Sequence, residues 1–524
     1  MHVLDLIAAR PFIWGLFIVY LAFLAYLAVL GRRRARGDAA SFAVGRKMSP
    51  IVAGMTIAAS LASTATFVIN PGFIYVHGVS AFIHLGVAAF LGMATGLLVV
   101  CGPFRRRGAA EGALTVPQWI GQRYGSTALR AYFAAINLLS LAFVVLIIGG
   151  LATIMYATLG LSYRASIVVV TAVVVSYVLA GGAYANAYAS TFQTAIKAVV
   201  AVMIVASGAA HLLHPSESLA RLAAIDPNLT SAINPASALF GTWFSVYAAG
   251  FVIGFALMCQ PHIMTTALYV DDDRGVRRAL TVAVGLGAVF ACVLLAGLYA
   301  HLDGMERAAM TDAATGTFRQ DRVMAVYLAR TFSPAELALV TIAIIGSGMS
   351  AMASILVALS GIAGNDLYGL IRRRRGLTPD TAASRRVGRV AVVGFAALAA
   401  AIAFDPPALL GIFGQLGTYG VVSGVAAPLV LGALIPSLSR RAATVAALLG
   451  PALHFTLYAL GRDAGFRADA HGWGLDLGNP GVTAAIAILA SATTALTIHA
   501  VTRSVTASID RSATPQTALP ISYG

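Results

Sequence analysis

Two apolar stretches of this sequence are interrupted where a continuous helix would be expected, and both interruptions carry side chains able to bind a ligand. The first reads Met55-Thr-Ile-Ala-Ala-Ser-Leu-Ala-Ser-Thr-Ala-Thr-Phe67 and runs on into Asn70-Pro71-Gly72. The second reads Phe255-Ala-Leu-Met-Cys-Gln260-Pro261-His262. In hydrocarbon, a break in a helix frees backbone groups that ions, water or a solute must satisfy. A polar side chain inside a span likewise costs free energy unless it is paired or wet. Ser63, Thr64 and Thr66 in the first stretch, Gln260 and His262 in the second, and His84 and Gln415 inside other spans are therefore candidate solute ligands. Proline kinks tolerated by packing would explain one such helix. Two at corresponding places in two five-span halves point to an inverted-repeat transporter with its site at the midplane.

The elements that position these residues are membrane spans. The chain is 59% hydrophobic and 10% charged over 524 residues, and its mean hydropathy is +0.85, outside the range of water-soluble domains. Apolar runs long enough to cross a hydrocarbon core of about 30 Å recur along almost the whole chain. Thirteen can be counted, near 12–30, 50–75, 79–101, 129–159, 164–182, 190–213, 237–262, 280–301, 334–364, 387–404, 407–435, 441–460 and 482–501. The fold expected is all-α and polytopic. The first run is too long, and followed rather than preceded by its basic cluster, to read as a cleaved signal.

The net charge of +15 does not point to nucleic acid, because the basic residues cluster at alternate span ends. With the N-terminus outside and the C-terminus in the cytoplasm, 25 of the 35 Lys and Arg fall in inside loops, among them Arg32 to Arg34, Arg105 to Arg107, Arg372 to Arg375 and Arg440 with Arg441. That is the positive-inside pattern of a multi-pass protein of the cell or inner membrane. Lys197 lies inside a span about two turns from its inside end and is expected to snorkel. Asp271-Asp272-Asp273 is expected to be a solvated loop. Cys101, Cys259 and Cys292 have no disulfide or metal spacing.

No loop is long enough for a fused soluble domain, so residues 1–501 are expected to form one transporter domain, with its core at about 48–435. Residues 502–524 are expected to be a disordered cytoplasmic tail. No His-Glu-x-x-His pair, Gly-x-Ser-x-Gly elbow or phosphate loop occurs, so an enzyme is not expected. The expected partners are a small-molecule solute and the lipid bilayer. Neither nucleic acid, an obligate protein partner nor an organic cofactor is implied.

Several separated motifs follow one another along the chain. Gly45-Arg46 and Ala59-Ser60-Leu61 come first, then Thr115-Val-Pro117-Gln-Trp119 with Arg123-Tyr124 and Tyr177 with Gly181-Gly182 and Gln193. Gln260-Pro261-His262 and Asn365-Asp366-Leu367-Tyr368 complete the series. Over roughly residues 40 to 460 this order resembles the sodium:solute symporter family, in particular its proline, pantothenate and acetate permease branch. The resemblance implies a LeuT-like core of five plus five inverted helices with one leading and two trailing helices. It also implies a sodium ion between the first and eighth core helices, held by the backbone carbonyls of Ala59 and Ala62 and the hydroxyls of Ser347 and Ser350. His262 resembles an inner-gate position, Gln415 a solute-binding glutamine of sugar-type members, and His84 lies near a polar substrate position.

The sequence departs from the family at three places. A second hydroxyl is replaced by Ala351, an aspartate after the Gly-Gly turn by Ser190, and an aspartate of proline-type members by Leu61. The function implied is secondary active symport of a small solute, an organic anion such as a monocarboxylate or an amino acid. Sodium is the expected coupling ion and a proton the alternative. A non-transporting membrane sensor with the same fold is the competing reading.

Overall fold

The computed structural model describes residues 10–35, 48–312, 316–378, 380–407 and 409–513. Its principal helices are α1 (Pro11–Ala35), α2 (Pro50–Leu61), α3 (Asn70–His77), α4 (Ala89–Glu111), α5 (Val116–Arg123), α6 (Thr127–Ile136), α7 (Leu141–Leu159) and α8 (Tyr163–Ser207). They continue as α9 (Ala249–Leu257), α10 (Pro261–Ala267), α11 (Asp273–Cys292), α12 (Pro334–Gly361), α13 (Thr381–Ala403), α14 (Leu410–Leu434), α15 (Arg440–Leu460) and α16 (Pro480–Ala513). Among the described residues, ten helical stretches are long and apolar enough to span a membrane, and two bent pairs make twelve. The thirteenth stretch of the sequence reading is inside α8. At 1.5 Å per residue its 45 residues would reach about 68 Å, twice a bilayer core. They do not run straight, because Gly182 has φ 53° and ψ −134° and joins two helices there.

Large apolar side chains such as Leu98, Val199, Val202 and Val390 stand more than half exposed on the outer helices, a surface suited to lipid rather than water. The centre is α12, whose apolar window is 94% buried inside the protein, so its serines face other helices. A capping box starts this helix, with Ser333 accepting from the Glu336 amide and Glu336 reaching back to the Ser333 amide. Such reciprocal bonds satisfy two orphan donors at once.

Packing follows a reciprocal scheme. The first broken helix, through α2, lies against α11, the helix after the second break, while the second broken helix, through α9, lies against α4, the helix after the first. In the same way α7 packs on α14, and its counterpart α12 packs on α8. That exchange is what an inverted pair of five-helix halves produces. Helix α1 leads, wrapped on α8, and α15 and α16 trail, wrapped on α14 and each other. The last helix runs on to Ala513, past Thr502 where a disordered tail was expected to begin; residues 514–524 of that tail, and Gly45-Arg46, lie outside the described residues.

At the arginine-rich end the motif residues interlock. Asp366 is fully buried and accepts from Arg130 Nε at 2.7 Å and from the Thr115 hydroxyl at 2.6 Å. Thr115 is also the N-cap of α5, accepting from the Gln118 amide, and Gln118 in turn accepts from Asn365 at 2.8 Å. Arg123 donates to the carbonyls of Gly432 and Ile435 at 2.8 Å each, supplying donors to the C-terminal carbonyls of α14 that have no partner within the helix. The acidic run 271–273 is solvent-accessible, as expected, and is also held: Asp273 pairs with Arg105 and Arg106, and Asp272 caps α11 through the Gly275 amide at 2.7 Å.

Two outcomes are expected. Gly182→Ala forces a side chain into a glycine-only conformation and lowers the thermal midpoint in detergent by the equivalent of about 1–3 kcal/mol. Gly15→Ala, where a Cβ meets open space, is the control and leaves the midpoint unchanged or slightly raised. Asp366→Ala strands Arg130 and costs about 3–5 kcal/mol. The combination Asp366→Leu with Arg130→Met costs less than that single change; equal or greater loss would show that the pair stabilises outright.

Candidate functional site

The first break opens between Leu61 and Ala65, where the two half-helices meet at 46°. Ala62 is extended, with φ −109° and ψ 93°, so the helix ladder lapses and nearby carbonyls lose their usual partners. The second break turns by 57° between Leu257 and Pro261. Pro261 has no N–H to carry a helix across it, but it suits a first helical position, which is where it stands in α10.

Between the two breaks lies a cavity of about 150 Å³. Of the expected solute ligands, Ser63, Thr66, His84, Gln260 and Gln415 line it. Thr64 and His262 do not. Thr64 is turned into the packing against Gly150 and Gly348, and His262 is buried in α10 outside the cavity lining. The lining contains no Asp, Glu, Lys or Arg, and much of it is apolar, including Leu61, Phe90, Phe143 and Phe290.

The polar groups of the lining are few and specific. Gln260 donates to the Leu257 carbonyl at 3.2 Å, which leaves its Oε1 buried and without a partner. Thr418 Oγ1 is also buried and unpartnered. His84 Nδ1 lies 2.5 Å from the Ser245 carbonyl; a carbonyl can only accept, so this nitrogen carries a proton, and in the neutral form of the ring Nε2 is then the acceptor. Thr418, Tyr419 and Asn70 were not singled out in the sequence, although Thr418 and Tyr419 follow Gln415 by one helical turn, the spacing that could have found them.

The four expected ion ligands do converge. Ser347 donates to the Ala62 carbonyl at 2.8 Å, and Ser350 donates to the Ser347 carbonyl at 2.9 Å. A fifth group stands among them. Lys197, fully buried, places Nζ 3.0 Å from the Ala62 carbonyl, 3.3 Å from the Ala59 carbonyl and 3.4 Å from Ser350 Oγ. It does not snorkel to a membrane surface as its sequence position suggested. The same helix holds the first broken helix once more, through Thr194 donating to the Met55 carbonyl at 3.1 Å. Ser190, which stands where an aspartate was expected from the resemblance, lies 3.4 Å from Asn186, and Asn186 donates to Ser354 at 3.0 Å, a chain of neutral groups.

The remaining motif residues fasten the helices that surround this point. Tyr177 donates to the Met349 carbonyl at 2.9 Å, and Gln193 donates to the Tyr20 hydroxyl at 2.7 Å, tying α8 to α12 and α1.

Comparison with known proteins agrees with this architecture. The sequence is 25% identical over 468 residues to a sodium/pantothenate symporter of Escherichia coli, covering 84% of this chain and 91% of that protein. It is 24% identical over 369 residues to a high-affinity proline transporter of Bacillus subtilis, covering 69% and 74%. The solved structure of a Na+-coupled sialic acid symporter, in a substrate-bound outward-open state, superposes with a TM-score of 0.72 at 16% identity over 94% of this chain and 97% of that one, which shows a shared fold. The Sodium:solute symporter family model matches residues 42–450, and the chain belongs to that family of membrane transporters, which are not enzymes.

Proposed function

We propose that this symporter carries a small amphipathic organic solute, an amino acid or a hydroxylated or amide-bearing monocarboxylate, through the cavity between its two broken helices. The observation that carries the reading is the unpartnered Oε1 of Gln260 beside a lining that is otherwise largely apolar. A buried acceptor without a partner calls for a donor, so the solute presents an N–H or O–H to Gln260. Thr418 can give or take a further bond, and His84 Nε2 offers a second acceptor. The apolar body of the solute then lies against Phe90, Phe143 and Phe290. Without a cationic side chain in the lining, a carboxylate is best accommodated at the first break, where backbone amides at the start of the second half-helix carry partial positive charge.

Alternating access follows from the geometry of such a site. Solute bound at the junction of two inverted halves contacts both, so it stabilises whichever arrangement brings them together around it. The arginine-rich loops are placed in the cytoplasm, with the N-terminus outside and the C-terminus inside, on the strength of the charge distribution.

Reconstituted protein is expected to take up a labelled small amino acid or monocarboxylate against its gradient. Gln260→Leu and Thr418→Val, which keep size and remove a hydrogen-bonding group, are expected to raise KM on the order of tenfold each, the effect of about 1.4 kcal/mol. Uptake with the wild-type KM in both variants would sink the assignment of these two side chains, and no uptake of any such solute would favour the sensor reading.

A further inference from the structure

One cation stands where the resemblance places another. An ammonium has three N–H donors and no acceptor, and Lys197 Nζ faces three oxygens: the carbonyls of Ala59 and Ala62, and Ser350 Oγ. The hydroxyl hydrogens are consistently directed. Ser350 gives its own to the Ser347 carbonyl and Ser347 gives its own to the Ala62 carbonyl, so Ser350 Oγ is left presenting its lone pairs to Nζ. Nζ thus faces three of the four oxygens that the resemblance assigned to sodium.

A sodium ion does not fit beside this group. It would need the same lone pairs, at shorter range, and would stand against a like charge in a buried place where repulsion is poorly screened. Nor is there a counter-charge to hold two cations. The residue at the expected aspartate position is Ser190, engaged with Asn186, and the second hydroxyl is Ala351. Helix α8 itself has no acidic residue. Of the helices packed on it, α1, α2, α7 and α13 have none either, while α11 and α12 carry only Asp273 and Glu336, each at a helix start. Asp273 is paired with Arg105, and Glu336 is committed to the Ser333 cap.

We infer that the Lys197 ammonium takes the place of the sodium ion at this site, closing it to Na+ and making solute transport independent of sodium. A covalently held cation satisfies the carbonyls freed by the helix break, but it cannot cross the membrane with the solute. It also touches the solute cavity indirectly. Nζ lies 5.7 Å from the centre of the Phe290 ring, and the same ring lines the cavity, so the tethered charge fixes one wall of the solute site through a cation–π contact.

The consequence for transport rests on the symporter reading, but the site can be read without any solute. Purified full-length wild type in detergent is expected to show no saturable binding of radioactive sodium that the double change Ser347→Ala with Ser350→Ala removes. Lys197→Ala, which empties the cage, is expected to acquire such binding and a sodium-specific rise in thermal midpoint that potassium and choline do not give. Saturable wild-type binding abolished by the double serine change overturns the proposal, as does a folded Lys197→Ala protein that gains no sodium binding. If Lys197→Ala does not fold, wild-type uptake decides. Coupled ligands typically change one another's affinity by about 5–150-fold, so replacing sodium by N-methylglucamine is expected to alter the initial rate by less than about fivefold, and a larger fall overturns the proposal. Absence of uptake in every medium would instead count against the symporter reading, while the binding measurement would still judge the site.

Discussion

Everything in this protein depends on one constraint: a helix interrupted inside a membrane leaves carbonyls and amides that hydrocarbon cannot satisfy. At the first break the carbonyls of Ala59 and Ala62 find Lys197 and Ser347. That requirement determines where α8 and α12 must run, because each has to bring one polar group to the same point. It also explains why α12 is the most enclosed helix and why its serines are spaced to meet α2 rather than lipid. Once these three helices are fixed, the cavity beside them has a defined floor and its polar side chains have defined directions.

Much of the architecture was legible in the sequence. Length and apolarity alone locate the spans, since the bilayer demands about twenty residues of helix. The two interruptions were legible from the run of hydroxyl and small residues through Ala59 to Thr66 and from Gln260-Pro261-His262 inside apolar runs, and both bends are present. The Gly181-Gly182 pair marked the end of one span; only the structure gives the reason, a positive φ that lets two helices meet without a loop.

The site was legible in part. Five of the seven expected solute ligands line the cavity, because a polar side chain within a span has few places to go. Thr64 and His262 fail the same test because adjacency is not a shared face: the lining takes Ser63 with Thr66 and Gln260 with Ile263, three residues apart, and leaves out Thr64 and His262 between them. Lys197 was misread as a snorkelling residue because distance along the helix, not direction around it, was the available measure. The pairing of Asp273 was not legible because its partners, Arg105 and Arg106, lie more than 160 residues away in sequence.

The crosswise packing of the halves has a mechanical corollary. Each broken helix is braced by the helix that follows the other break, α2 by α11 and α9 by α4. A tilt that loosens one brace must therefore displace the element that supports the opposite bend. The two ends of the cavity are geared to one another, and a substitution at either brace should be felt as a change in the resting balance between inward and outward arrangements even where it touches neither ion nor solute.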